Sequence, residues 1–197
     1  MRKRTAIFSA ALTPITRGLA ASVAANIGNI VARHSYLEWV LGQVIYSLLE
    51  ISVKQGGAIV QPPRPRQYVC AVQDLYRFHK LAITFPFADL EKKLAIADAA
   101  RNSLVHSVYM RENERGSSAI WLAPGPWELG ESLEPVRVAY QPDAQLLDRR
   151  FLAKRRNEVE TAIKSAERLQ ALTDNLLRAL HERRRTQPRW NRRRRAA

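Results

Sequence analysis

The stretch IGNIVARHSYLEWVLGQVIYSLL, Ile27 to Leu49, places apolar residues at Ile27, Ile30, Val31, Leu37, Leu41, Val44, Ile45, Leu48 and Leu49. Steps of three and four recur over several turns, which is the spacing of one face of an α-helix with its period of about 3.6 residues. The helix can begin as early as Leu19 and must end before Gly56-Gly57. Ser35 offers an internal N-cap, so a split into two helices at that point is the alternative.

Working outward, the three prolines of QPPRPRQ, Gln61 to Gln67, mark a connecting loop. Helical spacing resumes from Tyr68 to Ile83 through Val69, Val72 and Tyr76. Pro86 opens another helix, with Phe87, Leu90, Leu94, Ala97, Leu104 and Val105 as its apolar positions. After His106 the texture changes. Glycine, proline and short β-prone runs predict a small meander over residues 107–141, with Ser107–Arg111, Ala119–Leu122 and Val136–Tyr140 as its strands. Pro142 and Asp143 then open a long last helix, whose stripe runs through Phe151, Val159, Ile163, Ala166, Leu169, Leu172, Leu176 and Leu180 until Gln187-Pro188 stops it. Helices that are apolar on one face must bury those faces on each other. The expected fold is therefore mainly α, a bundle of four to five helices with a small β-rich insertion.

The chain has 197 residues, enough for one domain with a sizeable core. Its 32 Lys and Arg against 18 Asp and Glu give a net charge of +14. Arg2, Lys3 and Arg4 at one end and Arg183, Arg184, Arg185, Arg189, Arg192, Arg193, Arg194 and Arg195 at the other hold eleven of the basic residues, and the remainder is nearly balanced at 21 against 18. We expect a basic N-terminal segment over 1–18, a helical domain over 19–182 and an Arg-rich tail over 183–197. Such arms neutralise phosphates, or else serve only to keep the chain soluble. Trp190, interleaved with the arginines, is placed to stack on bases, whereas Trp121 and Trp127 are expected to pack the meander onto the bundle.

Cys70 is the single cysteine, so an internal disulfide is excluded. Its neighbours Tyr68, Val69 and Val72 suggest a buried thiol, and a lone thiol fits a reducing, cytoplasmic compartment. The basic start and short apolar run at the N-terminus are broken by Pro14 and Arg17, short of a membrane span or an export signal. The four histidines, His34, His79, His106 and His181, are scattered, and no metal or cofactor motif is present. His34 and His79 fall on or near apolar stripes and read as core histidines.

The chemistry-bearing segment is ARNSLVHS, Ala100 to Ser107. On a helix, Asp98, Asn102 and His106 stand four apart and form a polar ladder, while Arg101 lies about 140° around from His106. Imidazole passes protons near neutral pH, guanidinium holds a phosphate and its developing charge, and an amide orients either one. These are the parts of metal-independent RNA cleavage. A histidine interacting with the last carbonyls of a helix, beside an arginine paired with Asp98, would leave the same pattern without activity.

RNSLVH resembles the signature of the HEPN superfamily, an Arg and a polar residue followed by His, here Arg101, Asn102 and His106. YLEWVLGQVIYSLL, Tyr36 to Leu49, is similar to the first long helix of many bacterial members, and a β-prone segment and long last helix follow in the same order. The similarity spans roughly Ile27 to Leu180. Ser107, where many relatives carry Gly, and the basic arms depart from it. The resemblance implies an all-α bundle that dimerises with its Arg–His motifs in one cleft, and an endoribonuclease of the toxin or phage-defence kind. It implies His106 as acid/base, Arg101 as phosphate contact and Asn102 as orienting residue. RNA, a second copy of the chain and an antitoxin or nucleotidyltransferase-like protein are the partners it suggests. Many superfamily members bind RNA or act as scaffolds without cutting. Glu38, on the first helix, either meets the cleft or forms a structural salt bridge with an arginine.

Overall fold

The computed structural model describes residues 12–15, 18–52, 54–56, 65–112, 119–124 and 145–186. Among these residues four long helices dominate: α1 (Ala21–Leu49), α2 (Pro65–Phe78), α3 (Phe87–Val105) and α4 (Arg149–Thr186), with one further helical turn at 54–56. Four strands form an antiparallel sheet in the order β1 (Leu12–Pro14), β2 (Ser107–Glu112), β3 (Ile120–Pro124), β4 (Gln145–Leu146). The fold is mainly α with a small β element after α3, as the pattern of apolar residues predicts. Among the described residues, no helix is long and apolar enough to cross a membrane.

Each helix ends for a local reason. Glu50 closes α1 with a left-handed backbone (φ 54°), the Ile51 N–H reaching back to the Tyr46 carbonyl at 3.1 Å and the Glu50 N–H to Ser47 at 3.2 Å. Lys80 closes α2 the same way, with Leu81 to Tyr76 at 2.9 Å and Lys80 to Arg77 at 3.0 Å. Both are Schellman caps built on residues other than glycine. Pro65 opens α2, where its missing N–H costs nothing. The Pro86 carbonyl accepts from the Asp89 and Leu90 N–H groups and starts α3. Asp148 caps α4: its Oδ1 accepts the Phe151 N–H at 2.6 Å. That cap places the start of α4 at Arg149 rather than at Pro142-Asp143, and Gln145–Leu146 pairs as a strand instead.

The tertiary contacts divide the chain into two units, residues 1–34 with 96–160 and residues 35–95 with 161–197, so α1, α3 and α4 each contribute to both. In the first unit the sheet registers Tyr109 opposite Leu122 and Met110 opposite Trp121. Met110 and Leu122 therefore lie on opposite faces of the sheet, and both are buried. Trp121 is half-buried, between Met110 and Leu146. Arg33 of α1 pairs with Glu160 of α4. β1 falls inside the segment expected to be only a basic arm. It pairs Leu12 with Glu112 and Pro14 with Met110, and the Ile15 N–H bonds the Tyr109 carbonyl at 2.9 Å.

The second unit is helical. Leu37, Val40, Leu41, Val44 and Leu48 of α1, Val69, Val72 and Tyr76 of α2, Leu90 and Leu94 of α3, and Ala166 and Leu169 of α4 are buried. α1 passes Ser35 without a break, because His34 and Leu37 continue one buried stripe across it. Cys70 is exposed, against the sequence reading. Tyr68, Val69 and Val72 are themselves the buried face, and the next position around the helix turns outward. Thr173 is wholly buried on α4 while its neighbour Leu172 is partly exposed, so the last apolar stripe is less regular than its leucines suggest. The expected strand Val136–Tyr140 and Trp127 lie outside the described residues.

Candidate active site at the helix–strand junction

α3 is anchored in the first unit by Ala97, Ala100 and Leu104, which are buried on one side. The residues between them on the helix circumference must face outward, and there Asn102 is exposed and Arg101 half-buried. Val105, expected on the apolar side, is 41% exposed. The His106 N–H still bonds the Asn102 carbonyl at 3.0 Å, and Ser107 begins β2. His106 is thus the joint between helix and strand, and its ring is exposed to solvent.

The arginine brings the group together. Arg101 Nη1 donates to Asn102 Oδ1 at 2.9 Å and lies 3.3 Å from His106 Nε2. An ideal helix would hold Arg101 well to one side of His106. The long side chain and the position of His106 past the last helical residue close that gap. A guanidinium only donates, so in this contact Nε2 is the acceptor and the ring proton sits on Nδ1. The Tyr109 hydroxyl donates to the Leu104 carbonyl, one of the last carbonyls of α3. Burial raises the Tyr109 phenol above its ordinary value, which keeps that donor protonated. Sequence spacing did not point to Tyr109. It ties the first strand residues back to the helix end and so fixes the turn that carries His106.

The ladder expected of Asp98, Asn102 and His106 is only partly formed. Asp98 turns its Oδ1 to Nε2 of the buried His34, at 3.4 Å. His34 is a core histidine with a carboxylate beside it, and His79 is half-buried next to Phe78. Glu38 belongs to the other unit, where its charge acts on Tyr68. Burial and then Glu38 push the Tyr68 phenol up to about 12. Among the tail residues, Arg183 and Arg185 are exposed on the last turn of α4. The side chain of Arg184, together with Arg189, Trp190, Arg192, Arg193, Arg194 and Arg195, lies outside what is described. Among the described residues, no three His, Cys, Asp or Glu side chains gather where a metal ion could be held.

The arrangement offers an imidazole and an amide exposed to solvent, with a half-buried guanidinium between them within reach of the same ligand atom. Comparison with protein-family models, with curated proteins and with solved structures found no match to this chain.

Proposed function

We propose that this chain is a metal-independent endoribonuclease of the HEPN type, acting as a homodimer in the manner of toxin or phage-defence effectors. The observation that carries this reading is the 3.3 Å approach of Arg101 to His106 Nε2 at an exposed helix end, with Asn102 on the same guanidinium. When an RNA phosphate arrives, Arg101 exchanges its neutral partners for the anion, a stronger charge-assisted contact. The lone pair of Nε2 is thereby released. It takes the proton of a ribose 2′-hydroxyl, the oxygen bonds to the adjacent phosphorus, and the bond from phosphorus to the 5′ oxygen breaks. The leaving oxygen takes a proton from an imidazolium, which in the dimer is the partner's His106. The products are a 2′,3′-cyclic phosphate and a 5′-hydroxyl. Arg101 stabilises the charge that builds on the phosphoryl oxygens.

The purified protein, incubated with RNA in excess chelator, should cleave it. His106→Ala should lower the rate by about 10²–10⁴, and Arg101→Ala by about 10²–10³. Equal cleavage by all three proteins, or by none, sinks the enzyme reading.

A second reading is a non-catalytic nucleic-acid-binding or scaffolding protein. The exposed Arg183 and Arg185 on α4 favour it, as does the way Arg101, Asn102 and His106 satisfy one another as an ordinary polar helix end would. In that case deleting 183–197 abolishes RNA binding and flattens its salt dependence, while His106→Ala changes neither. An antitoxin or nucleotidyltransferase-like partner follows only from the first reading, whereas a cytoplasmic site of action is suggested by the lone thiol under either.

A further inference from the structure

We infer that the first unit carries a second RNA contact, a groove between the first half of α1 and the start of α4 that takes one nucleotide segment of a single strand. This rests on RNA being the ligand of the chain. The groove measures about 720 Å³, within the range of cavities that hold ligands. Its floor includes Ile30, Leu147 and Leu152, all buried and apolar. Arg149 and Arg156 stand exposed on its α4 wall, and neither has an ion-pair or hydrogen-bond partner among the described residues. They are seven residues apart, nearly two full turns, so they project to the same side about 10 Å apart along the helix. Arg33, the third cation of the groove among the described residues, is already paired with Glu160 and braces α1 against α4.

Asn29 faces them from the α1 wall, its amide exposed and equally without a partner among the described residues. Asp148, the one carboxylate of the lining among the described residues, has its Oδ1 engaged by the Phe151 N–H. That carboxylate is thus held as a cap, and we assign recognition to the side chains of the groove. Guanidinium forks with no partner among the described residues suit successive phosphates, an apolar floor suits the face of a base, and an amide with a donor and an acceptor suits a base edge. An acidic peptide would engage the arginines alike but would leave the amide and the floor unused.

The test uses the full chain and a 2′-O-methyl oligonucleotide, which lacks the nucleophile and reports binding without cleavage. Arg149→Gln with Arg156→Gln should weaken binding roughly tenfold and reduce the slope of log K against log salt by about 1.4, the loss of two single-strand phosphate contacts. Asn29→Ala should weaken RNA binding several-fold yet leave binding of polyglutamate unchanged. Unfolding curves check that these exposed substitutions leave the fold intact. Wild-type affinity and slope in the double variant overturn the groove. So does an Asn29→Ala effect that is absent, or equal for RNA and polyglutamate, the latter marking a surface for acidic protein. Cleavage of ordinary RNA by the same proteins separates the two ideas: no cleavage with the binding pattern intact removes the nuclease and keeps the groove, and cleavage with no binding change does the reverse.

Discussion

The buried pair Tyr76 and Thr173 makes a sharp test of the packing in the second unit. Their hydroxyl oxygens lie 2.6 Å apart, with Tyr76 3% and Thr173 0% exposed. Thr173 has one hydroxyl proton, and it goes to the Leu169 carbonyl at 2.8 Å. Tyr76 must therefore donate to Thr173 Oγ1, and the chain runs from phenol to hydroxyl to carbonyl. The direction makes the two deletions unequal. Tyr76→Phe keeps the ring and its edge contact with Phe87, leaves Thr173 satisfied, and should cost about 1 kcal/mol. Thr173→Val keeps the shape but strands a buried phenol, at about 2–3 kcal/mol. Leu169 keeps its helical N–H donor in either case. The double variant no longer has a phenol to strand, so it should lie near the milder single variant, with a coupling of about 2–3 kcal/mol. For a chain of 197 residues, each kcal/mol moves the melting temperature by roughly 2–4 °C. Thermal unfolding of the three variants reads the order directly. Equal losses for the two single variants, or strict additivity in the double, would refute the donor chain.

Lys80→Gly removes the cost of a left-handed side-chain-bearing residue at the cap of α2 and should stabilise the protein by about 0.5–1 kcal/mol in denaturant unfolding. Asp148→Ala removes the cap of α4 and should cost about 1 kcal/mol, with Asp148→Asn recovering most of it. The Tyr68 phenol titrates higher in the folded chain, at about 12, than its ordinary 10, because of burial and then the charge of Glu38. Its contribution to stability is complete below pH 10 and is lost as pH rises toward 12. Tyr68→Phe should therefore flatten the alkaline limb of the stability profile, and an unchanged limb would show that the phenol does not titrate in this way.

The sequence is most legible where a periodic stripe and a local terminator agree. α3 begins at Phe87 after Pro86 and ends at Val105, where the apolar positions of the sequence bound it. α4 is less legible, because Asp143 and Asp148 are equally good caps in isolation. The choice is made by the pairing of Gln145–Leu146 with β3, a contact with no local signature. β1 is hidden for the same reason: three residues, Leu-Thr-Pro, acquire strand structure only because β2 offers them an edge. At the site, spacing predicts that Asn102 and His106 share a face, and they do. It also aligns Asp98 with them, but a long-range neighbour, His34, engages that carboxylate first. Helical position states which residues share a face, and it says nothing of what the rest of the chain brings to that face.

The same limit explains how His106 gains its arginine. Within a regular helix, positions 101 and 106 diverge, and a further turn of α3 would carry the imidazole away from the guanidinium. The helix ends at Val105 because β2 begins at once, held by β1 and β3 on either edge, with the Tyr109 hydroxyl fastened to the Leu104 carbonyl. The small sheet is thus more than a decoration on a helical protein. By stopping α3 where it does, it sets the distance between the two groups that any chemistry at this position requires. Short β-prone runs announce β2 and β3, but β1 and β4 carry no such signal, so the geometry of the site depends in part on pairings that no local sequence announces.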